Sequence, residues 1–406
     1  MPYWGIGAPV LPGRIPHHWS ALPRYPLPVK GPLADVHVLD LSRVLAGPLC
    51  TQVLGDLGAD VVKVERPCEG DDTRQWGPPF VGGDAAYFLS LNRNKRSVTI
   101  DLKTPEGIAH IRRLADRSDV VIENFRPGLM PSLGLGLDAL RARRPELVTC
   151  SLTAFGDDSP EATSRPGYDI IVQALCGLMS VTGEPTGGPV KAGVALLDVV
   201  TGLYAAVGIL SALHERSRTG RGRHVAVALY DASVAAMVNQ AANHLIGGLV
   251  PARLGTAHPN IVPYQAFAAA DRPFILAAGN DRLFRRTCEV VDRADLAGDE
   301  RFATNEQRVR NRDALIPILE QAFATHPAAR WLELLDEAGV PCAPIRRMDE
   351  VFAAPEGAAL VERVDDPARG ETLRLVRGPI RLDGRSMSTR LPPPVLGQHT
   401  DEILGR

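Results

Sequence analysis

The sequence has little of what marks nucleic-acid binding, metal binding or export. The 406 residues carry a formal net charge of −2, which gives no support for a nucleic-acid partner. The six cysteines include no Cys-x-x-Cys pair, so we expect no metal site and free thiols in the cytoplasm. No apolar run reaches transmembrane length, and no N-terminal signal pattern is present, so we expect no membrane contact.

Glycine-rich phosphate cradles are also missing. The turn after the first predicted strand, Ser42–Pro48, contains neither Gly-x-Gly-x-x-Gly nor a Walker motif. Glu65 stands where a dinucleotide-binding fold places its ribose-binding acid, but that fold also needs the glycines. The sequence therefore argues against NAD or ATP as a ligand.

Lysine is scarce, since arginine supplies nearly all of the 45 basic residues. The few lysines are candidates for phosphate contacts; they are Lys30, Lys63, Lys95, Lys103 and Lys191.

What the sequence does have is a regular alternation of short apolar runs and helical segments from Val36 onward. The runs that predict strands are Val36–Leu41, Asp60–Glu65, Ser97–Asp101, Asp119–Glu123, Leu147–Ser151 and His224–Leu229. Thr104 followed by Pro105 predicts the start of a helix. This pattern is typical of an α/β fold with a parallel sheet covered by helices on both faces.

The length predicts about two domains. Prolines crowd residues 1–32, which we expect to form an irregular extension. Residues 33–225 are predicted to form the first part of a large Rossmann-like domain and 226–330 a smaller α+β domain, with 331–406 returning to the large one. Within this frame we expect helices over 198–217, capped by Gly220, and over Asp231–Ile246, and a charged helical region over 282–340.

Asp198 is the most informative residue, because a carboxylate between an apolar run and a helix of small residues is costly to bury unless it is paired or used. The N-terminus of a helix favours a negative charge and is a suitable place for a carboxylate nucleophile. A plain helix N-cap is the alternative.

Cations recur where predicted strands end. Arg66, Lys103 and Arg126 follow three different strands, and ligands of open α/β sheets bind beyond the carboxyl ends of the strands. These side chains could converge on a phosphorylated ligand, or each could be a solvated surface charge.

Taken together, several segments resemble class III CoA-transferases, and the resemblance runs from about Leu33 to Gly405. The segments are Asp40–Pro48, Gly58–Pro67, Asn94–Val98, Asp101–Lys103, Glu123–Gly128, Leu196–Tyr204 and Thr219–Gly222. The resemblance implies an interlocked homodimer in which both chain ends build the large domain. It also implies a coenzyme A thioester as substrate and no permanently bound cofactor.

The same resemblance implies roles for individual residues. Asp198 matches the catalytic nucleophile of the family. The residues implied to lie along the CoA site are Val44, Ala46, Arg66, Lys103, Asn124, Phe125 and Arg126. Leu45 stands where some members of the family carry Gln.

The fold is shared with α-methylacyl-CoA racemases, which pair the matching Asp with a His in a Gly-His-Asp sequence. This chain has Gly167-Tyr168-Asp169, and a Tyr with an unperturbed pKa near 10 is a poor acid–base partner. The substitution favours covalent transfer over racemisation and leaves Asp169 as a helix cap or a supporting polar group. A CoA-binding protein without catalysis is a third alternative, which the retained Asp198 disfavours.

The second half of the chain resembles the glutarate-handling branch of the family, in segments such as Gly255–His258 and Pro392–Thr400. This implies a donor such as succinyl-CoA and a dicarboxylate acceptor, with transfer to a different acid as an alternative. Arg253, His258 and Asn260 are candidates for the second carboxylate of the substrate, or are ordinary polar loop residues.

Overall fold

The structure, a computed structural model, describes residues 31–156, 165, 167–387 and 389–405. Of the proline-rich extension expected over residues 1–32, residues 1–30 lie outside the described residues.

The strands of the described chain are β1 (His37–Asp40), β2 (Asp60–Glu65), β3 (Phe80–Val81), β4 (Asp84–Ala85), β5 (Lys95–Thr99), β6 (Val120–Glu123), β7 (Val148–Thr153), β8 (His224–Ala228), β9 (Tyr264–Ala268), β10 (Pro273–Ala277), β11 (Cys342–Pro344), β12 (Val361–Asp366), β13 (Glu371–Val376), β14 (Arg381–Leu382) and β15 (Arg385–Ser386).

The helices are α1 (Ala46–Asp56), α2 (Ala86–Leu91), α3 (Pro105–Ala115), α4 (Leu129–Ser132), α5 (Leu137–Arg143), α6 (Asp169–Leu175), α7 (Leu178–Val181), α8 (Leu196–Thr219), α9 (Leu229–Ala235), α10 (Val238–Leu245), α11 (Asp281–Val290), α12 (Ala294–Gly298), α13 (Asn305–Arg310), α14 (Arg312–Phe323), α15 (Ala328–Glu337), α16 (Met348–Ala353), α17 (Pro355–Ala358) and α18 (Thr400–Leu404), with a 3₁₀ helix at Asp72–Gln75.

A parallel sheet of six of these strands, in the order β5-β2-β1-β6-β7-β8, forms the centre of the described chain. Successive side chains alternate between its faces, so Val38 packs towards α1 and α8 while Leu39 packs towards α3. The α/β architecture with helices on both faces is confirmed. The chain runs outward from β1 to β5 and then returns to place β6 beside β1, so the strand order reverses between β1 and β6. Open α/β sheets bind their ligands at such a reversal.

α8 is the long helix that the small-residue pattern predicted. It ends at Gly220, which adopts φ +67° and caps the helix as expected. Within the described residues, α8 is long and apolar enough to cross a membrane by those two criteria alone, so the expectation that no stretch reaches that length is wrong. The helix nevertheless packs on the sheet through Ala205, Ala206 and Ile209, and buried core helices pass the same test.

Two other expectations about secondary structure need correction. The helix expected over Asp231–Ile246 is two helices, α9 and α10, which are separated at Ala236 and Met237. The strand expected at Ser97–Asp101 begins two residues earlier, at Lys95. The Lys95 side chain is fully buried, and its ammonium donates to Pro48 O and Asn92 Oδ1. A lysine thus occupies a core position of the strand, where the hydrophobic pattern of the sequence predicts a turn.

The chain end covers the edge of the sheet. Asn94 Oδ1 accepts from the backbone N–H groups of Arg390 and Leu391, and Ser97 Oγ accepts from Gly397 N–H. These bonds place the tail beside β5 and occupy polar groups along the edge strand.

A second core lies between Val262 and Cys342, around the antiparallel sheet β11-β10-β9 and helices α11 to α15. Its central polar residue is Arg308, which is fully buried and donates to Val262 O, Phe302 O and Asp281 Oδ1. This core supports the idea of a smaller α+β unit. We propose moving its limits from 226–330 to about 262–344, because β8 belongs to the large sheet and α15 to the small core.

The contact between α1 and α8 depends on Gly202. A Cβ built at this position meets Ala46 O at 2.5 Å, so the backbones of the two helices touch where the side chain is missing. We predict that Gly202→Ala destabilises the protein by about 1–3 kcal/mol, because overpacking forces the helices apart. The midpoint of urea unfolding measures this. Gly298→Ala in α12 is the matched control, since nothing lies within 4 Å of its Cβ position; equal effects of the two substitutions would contradict the prediction.

Candidate active site

Two adjoining cavities open at the carboxyl ends of the central strands, where the strand order reverses. One has a volume of about 400 Å³ and the other about 310 Å³, and they share Arg43 and Phe125 in their walls. The larger is lined by Leu41, Arg43, Val64, Glu65, Arg66, Pro67, Glu69, Ile100, Asp101, Leu102, Lys103, Phe125, Leu129 and Leu133. The smaller is lined by Arg43, Val44, Leu45, Ala46, Asp72, Asn124, Phe125, Arg126, Pro127, Leu152, Thr153, Ala154, Arg165, Gly167, Tyr168 and Asp198. We call them the outer and the inner cavity.

Asp198 lies in the first turn of α8 and lines the inner cavity. Its own backbone N–H and that of Leu197 both donate to Asp169 Oδ1, at 3.2 and 2.9 Å. Asp169 therefore caps α8 from the neighbouring helix α6. Gln173 holds it in place by donating to Asp169 Oδ2, while Gln173 Oε1 accepts from Ala192 N–H. Among the described residues, none donates a hydrogen bond to the carboxylate of Asp198.

This arrangement changes the electrostatics expected at Asp198. Burial and, to a smaller extent, the negative charge of Asp169 together raise the pKa of Asp198 from its ordinary 3.8 to about 7. The helix N-terminus was expected to favour the charge on Asp198, but the two N–H groups nearest to it are bonded to Asp169. The site thus holds a carboxylate that is partly ionised near neutral pH and has little stabilisation of its charge.

A buried set of charges supports the wall opposite Asp198. The Lys63 ammonium lies 2.8 Å from Asp71 Oδ2 and donates to Ser42 O at 2.9 Å, and both ion-pair partners are buried. Burial alone would raise the pKa of Asp71, but Lys63 and hydrogen bonds from Thr73 lower it to about 2. Asp71 is therefore a permanent anion that anchors the segment leading into α1.

Five described cations line the cavities, and one of them, Arg165, places its guanidinium over the Phe155 ring. The other four fall into two groups. Arg66 and Arg43 both pair with the carboxylate of Asp72, at 2.6 and 3.1 Å, so Asp72 ties the two arginines together. Lys103 and Arg126 are exposed, and neither side chain is bonded to a partner within the described residues. Two cations at the cavity mouths are thus available to an anionic ligand.

Metal ligation has no support in the described residues, where no group of three or more His, Cys, Asp or Glu side chains could hold an ion. Glu65 lines the outer cavity, but its carboxylate is not free to bind a ribose hydroxyl as a ribose-binding acid would be. Its carboxylate accepts from Arg74, from Ser97 Oγ and from the backbone N–H of Asp71, and it is buried.

Comparisons with known proteins agree with this geometry. Residues 33–400 match the family described as CoA-transferase family III. The chain is 43% identical to the human succinyl-CoA:glutarate CoA-transferase over 389 residues, which cover 95% of this chain and 88% of that protein. It is 45% identical to the succinate–glutarate CoA-transferase of Agrobacterium fabrum over 382 residues, which cover 92% and 95%. A crystal structure of a CAIB/BAIF family protein from Brucella suis superposes with a TM-score of 0.81 at 45% identity, covering 93% of this chain and 99% of that one.

The chain belongs to CoA-transferase family III. The resemblance that the sequence motifs indicated is confirmed, and with it the parallel α/β architecture and the class of enzyme.

The residues predicted for the CoA site come together in this family III chain. Val44, Ala46, Asn124, Phe125 and Arg126 line the inner cavity with Asp198. Arg66 and Lys103 line the outer cavity, which Phe125 also lines. The convergence expected of Arg66, Lys103 and Arg126 is therefore spread over two adjoining cavities.

The three substrate candidates lie elsewhere in the chain. Arg253 donates to Gly187 O, while His258 Nδ1 accepts from the backbone N–H of Asn260, whose side chain bonds to Asn243. None of the three lines either cavity within the single described chain.

Sequence reasoning missed Arg43, which lines both cavities. Arg43 was within reach, because it directly precedes Val44 in the Asp40–Pro48 segment. Tyr168, which stands where the racemases carry His, lines the inner cavity. Burial raises the pKa of Tyr87, and the charges of Asp198 and Asp169 raise it further. Tyr87 gave no local signal, since these partners are distant in the sequence.

The raised pKa of Asp198 predicts how stability depends on pH. Because the native pKa of about 7 exceeds the ordinary 3.8, the stabilisation that Asp198 gains from its proton is full below pH 3.8 and is lost as the pH rises through about 7. Asp198→Asn carries no such charge. We predict that its stability relative to wild type grows by about 2 kcal/mol between pH 4 and pH 8, a value reduced for the partial exposure of the carboxylate. Urea unfolding at both pH values measures this, and a constant difference would contradict it.

Proposed function

We propose that the protein moves CoA between an acyl-CoA donor such as succinyl-CoA and a dicarboxylate acceptor such as glutarate, through covalent intermediates on Asp198. One observation carries the proposal: Asp198 faces the inner cavity with no hydrogen-bond donor on its carboxylate among the described residues and a pKa of about 7. The succinate and glutarate in the names of the human and Agrobacterium relatives support the choice of acids.

The reaction begins when an Asp198 oxygen attacks the carbonyl carbon of the donor thioester. The carbon–sulfur bond breaks, CoA leaves as its thiolate, and a mixed anhydride joins Asp198 to the donor acid. The thiolate then attacks the Asp198 carbonyl carbon, the donor carboxylate leaves, and an aspartyl–CoA thioester remains.

The acceptor reverses these two steps. Its carboxylate attacks the aspartyl–CoA thioester and releases the CoA thiolate, and the thiolate attacks the acceptor side of the new anhydride. The new acyl-CoA forms and the Asp198 carboxylate is regenerated. One thioester is exchanged for another, so no ATP is needed.

Charge developing on the attacked carbonyl needs hydrogen-bond donors. The first turn of α1 supports this role, because Leu45 and Ala46 line the inner cavity with Asp198. The backbone N–H groups of Leu45 and Ala46 donate to no other described residue. We propose that they meet the oxygen of the attacked carbonyl.

CoA is a substrate here and is not permanently bound. We propose that its phosphates lie towards the outer cavity near Arg66 and Lys103, with Arg126 beside the inner cavity. Val44, Ala46, Asn124 and Phe125 would then line the path of the thioester to Asp198.

An interlocked homodimer is part of the proposal. Several apolar side chains of the single chain lie in water, among them Leu245, Ile246 and Val250, which are 81%, 88% and 84% exposed. So much exposed apolar surface is typical of an interface. We propose that a second chain covers it and that Arg253, His258 and Asn260 reach the substrate carboxylate in the dimer.

We also propose that the protein acts in the cytoplasm, without nucleic-acid or membrane partners. All six cysteines are free thiols, which supports a reducing compartment. The net charge of −2 gives no attraction for a polyanion.

Among the described residues, no histidine lines the inner cavity and Tyr168 lies there, so the geometry does not support racemisation.

We predict that Asp198→Asn lowers transfer from succinyl-CoA to glutarate by at least about a thousandfold, because the nucleophile is lost. In the wild type incubated with unlabelled succinyl-CoA, isotope-labelled hydroxylamine displaces the CoA thiolate from the aspartyl thioester and leaves a labelled hydroxamate on Asp198. The rate of acylation rises with pH through about 7. Asp231→Asn is the control, since Asp231 is also in the first turn of a helix but is exposed and outside both cavities. Wild-type turnover by Asp198→Asn, or a label elsewhere, would contradict the nucleophile.

We predict that Lys103→Ala and Arg126→Ala each raise the KM for succinyl-CoA about tenfold with little change in kcat, because a charge-assisted bond to phosphate contributes about 1.5 kcal/mol. Steady-state kinetics over a range of succinyl-CoA concentrations measures this. Arg374→Ala serves as the control, since Arg374 is exposed on β13 and outside both cavities. An unchanged KM in both variants would exclude these cations from the CoA site.

A further inference from the structure

The Ser42–Val44 turn is held in an unusual way, because its backbone groups bond to side chains. The Ser42 N–H donates to Asp40 Oδ1 at 2.9 Å, and the Lys63 ammonium donates to Ser42 O at 2.9 Å. Asp40 and Lys63 are both fully buried, on neighbouring strands. The first residue of the turn is thus fixed at both its N–H and its carbonyl.

The next two residues of the turn are held from other elements. The Asn124 side chain bonds to both backbone polar groups of Arg43. Its Oδ1 accepts from the Arg43 N–H at 2.9 Å, and its Nδ2 donates to Arg43 O at 2.8 Å. Asp71 accepts from the Val44 N–H, at 3.2 Å to Oδ2. Side chains after β6 and β2 therefore hold the backbone of a turn that follows β1.

Holding the turn determines the direction of the chain beyond it. Val44 adopts φ +70°, a left-handed conformation that β-branched residues rarely adopt and that persists only where the surroundings impose it. The two residues after Val44 are Leu45 and Ala46, which begin α1 and line the inner cavity together with Asp198. A relaxed Val44 would turn this segment away from the cavity.

We infer that Asp71 and Asn124 are positioning residues for the transfer reaction, which fix the Ser42–Val44 turn and so place the Leu45–Ala46 backbone against the carbon that Asp198 attacks. The inference rests on the proposed covalent chemistry. In this inference the Asn124 side chain binds the protein backbone and not the substrate, since both polar atoms of its amide bond to the backbone of Arg43. Asp71 has the same task on the opposite side of the turn.

The test for Asn124 compares three variants. Asn124→Ala removes both bonds to Arg43, and we expect kcat to fall about 100-fold, the effect of a reacting group misplaced by about 1 Å. Asn124→Asp retains the acceptor for the Arg43 N–H, so its kcat is expected between those of Asn124→Ala and wild type. Asn311→Ala is the matched control: Asn311 is also half-buried and donates to two backbone carbonyls, but lies in the second core. Its kcat is expected within about twofold of wild type.

For Asp71 the variant is Asp71→Asn, which retains the shape and loses the charge and one acceptor. Asp366→Asn is its control, since Asp366 is equally buried and pairs with Arg369, outside both cavities. A loss of kcat confined to Asp71→Asn, with both proteins folded by circular dichroism, supports the inference. If Asp71→Asn does not fold, the Asn124 series decides alone.

Two further measurements distinguish a positioning role of Asn124 from other roles. The KM for succinyl-CoA and the pH midpoint of acylation should stay near wild type in Asn124→Ala. Both polar atoms of the Asn124 amide bond to the Arg43 backbone, so the substitution removes no polar contact with the ligand, and the ionisation of Asp198 is unchanged. A rise in KM alone would show that Asn124 is a CoA ligand. A shifted pH midpoint of acylation would show that Asn124 acts through Asp198, and a kcat equal to that of Asn311→Ala would show that its role is only structural. Each of these results would overturn the inference. Hydroxylamine trapping on the wild type is scored separately, so absence of label at Asp198 counts against the proposed function and not against the kcat comparison.

Discussion

The buried ammonium of Lys63 is the constraint on which the site depends. It lies between Asp71 Oδ2 and Ser42 O, at 2.8 and 2.9 Å, and Lys63 and Asp71 have no exposed side-chain surface. A buried ion pair adds little net stability, since desolvation offsets much of the attraction, but removal of one partner leaves an uncompensated charge. Its benefit is therefore geometric. It fixes the segment after β2 against the turn after β1, and this contact closes one wall of the inner cavity.

Two carboxylates, those of Asp40 and Asp198, have pKa values shifted in opposite directions. Burial would raise the pKa of Asp40, but Lys95 and Lys63, with hydrogen bonds from Ser42 and Thr51, lower it below its ordinary value. Asp198 has no such partner among the described residues, and its pKa is about 7. Asp72 also lines the inner cavity, but it pairs with Arg43 and Arg66, whereas the Asp198 carboxylate has no donor among the described residues. A perturbed carboxylate in a cleft, surrounded by fully satisfied neighbours, is typical of a reactive group.

Local signals in the sequence predicted much of this fold, and non-local contacts explain what they missed. The strand Asp60–Glu65 was predicted at its observed bounds, and Thr104 and Gly220 cap their helices as predicted, because periodicity and caps are properties of neighbouring residues. The start of β5 at Lys95 was missed because its ammonium finds partners on distant segments. The residues proposed for the CoA site came from the family resemblance. Their contacts in the structure, such as that of Asn124 with Arg43, could not be predicted because 81 residues separate the partners.

Asp169 illustrates how a residue predicted as a cap also sets the chemistry. A helix N-terminus normally stabilises a nearby anion through its free N–H groups and its dipole. Asp169 accepts from two of those groups at the start of α8, so they are not available to Asp198, and its charge opposes ionisation of Asp198 as well. A carboxylate with a strongly lowered pKa would be ionised but weakly nucleophilic. One whose pKa burial raised far above 7 would stay protonated at neutral pH. With a pKa of about 7, Asp198 is substantially ionised at neutral pH and retains high basicity, as the proposed attack on a thioester requires.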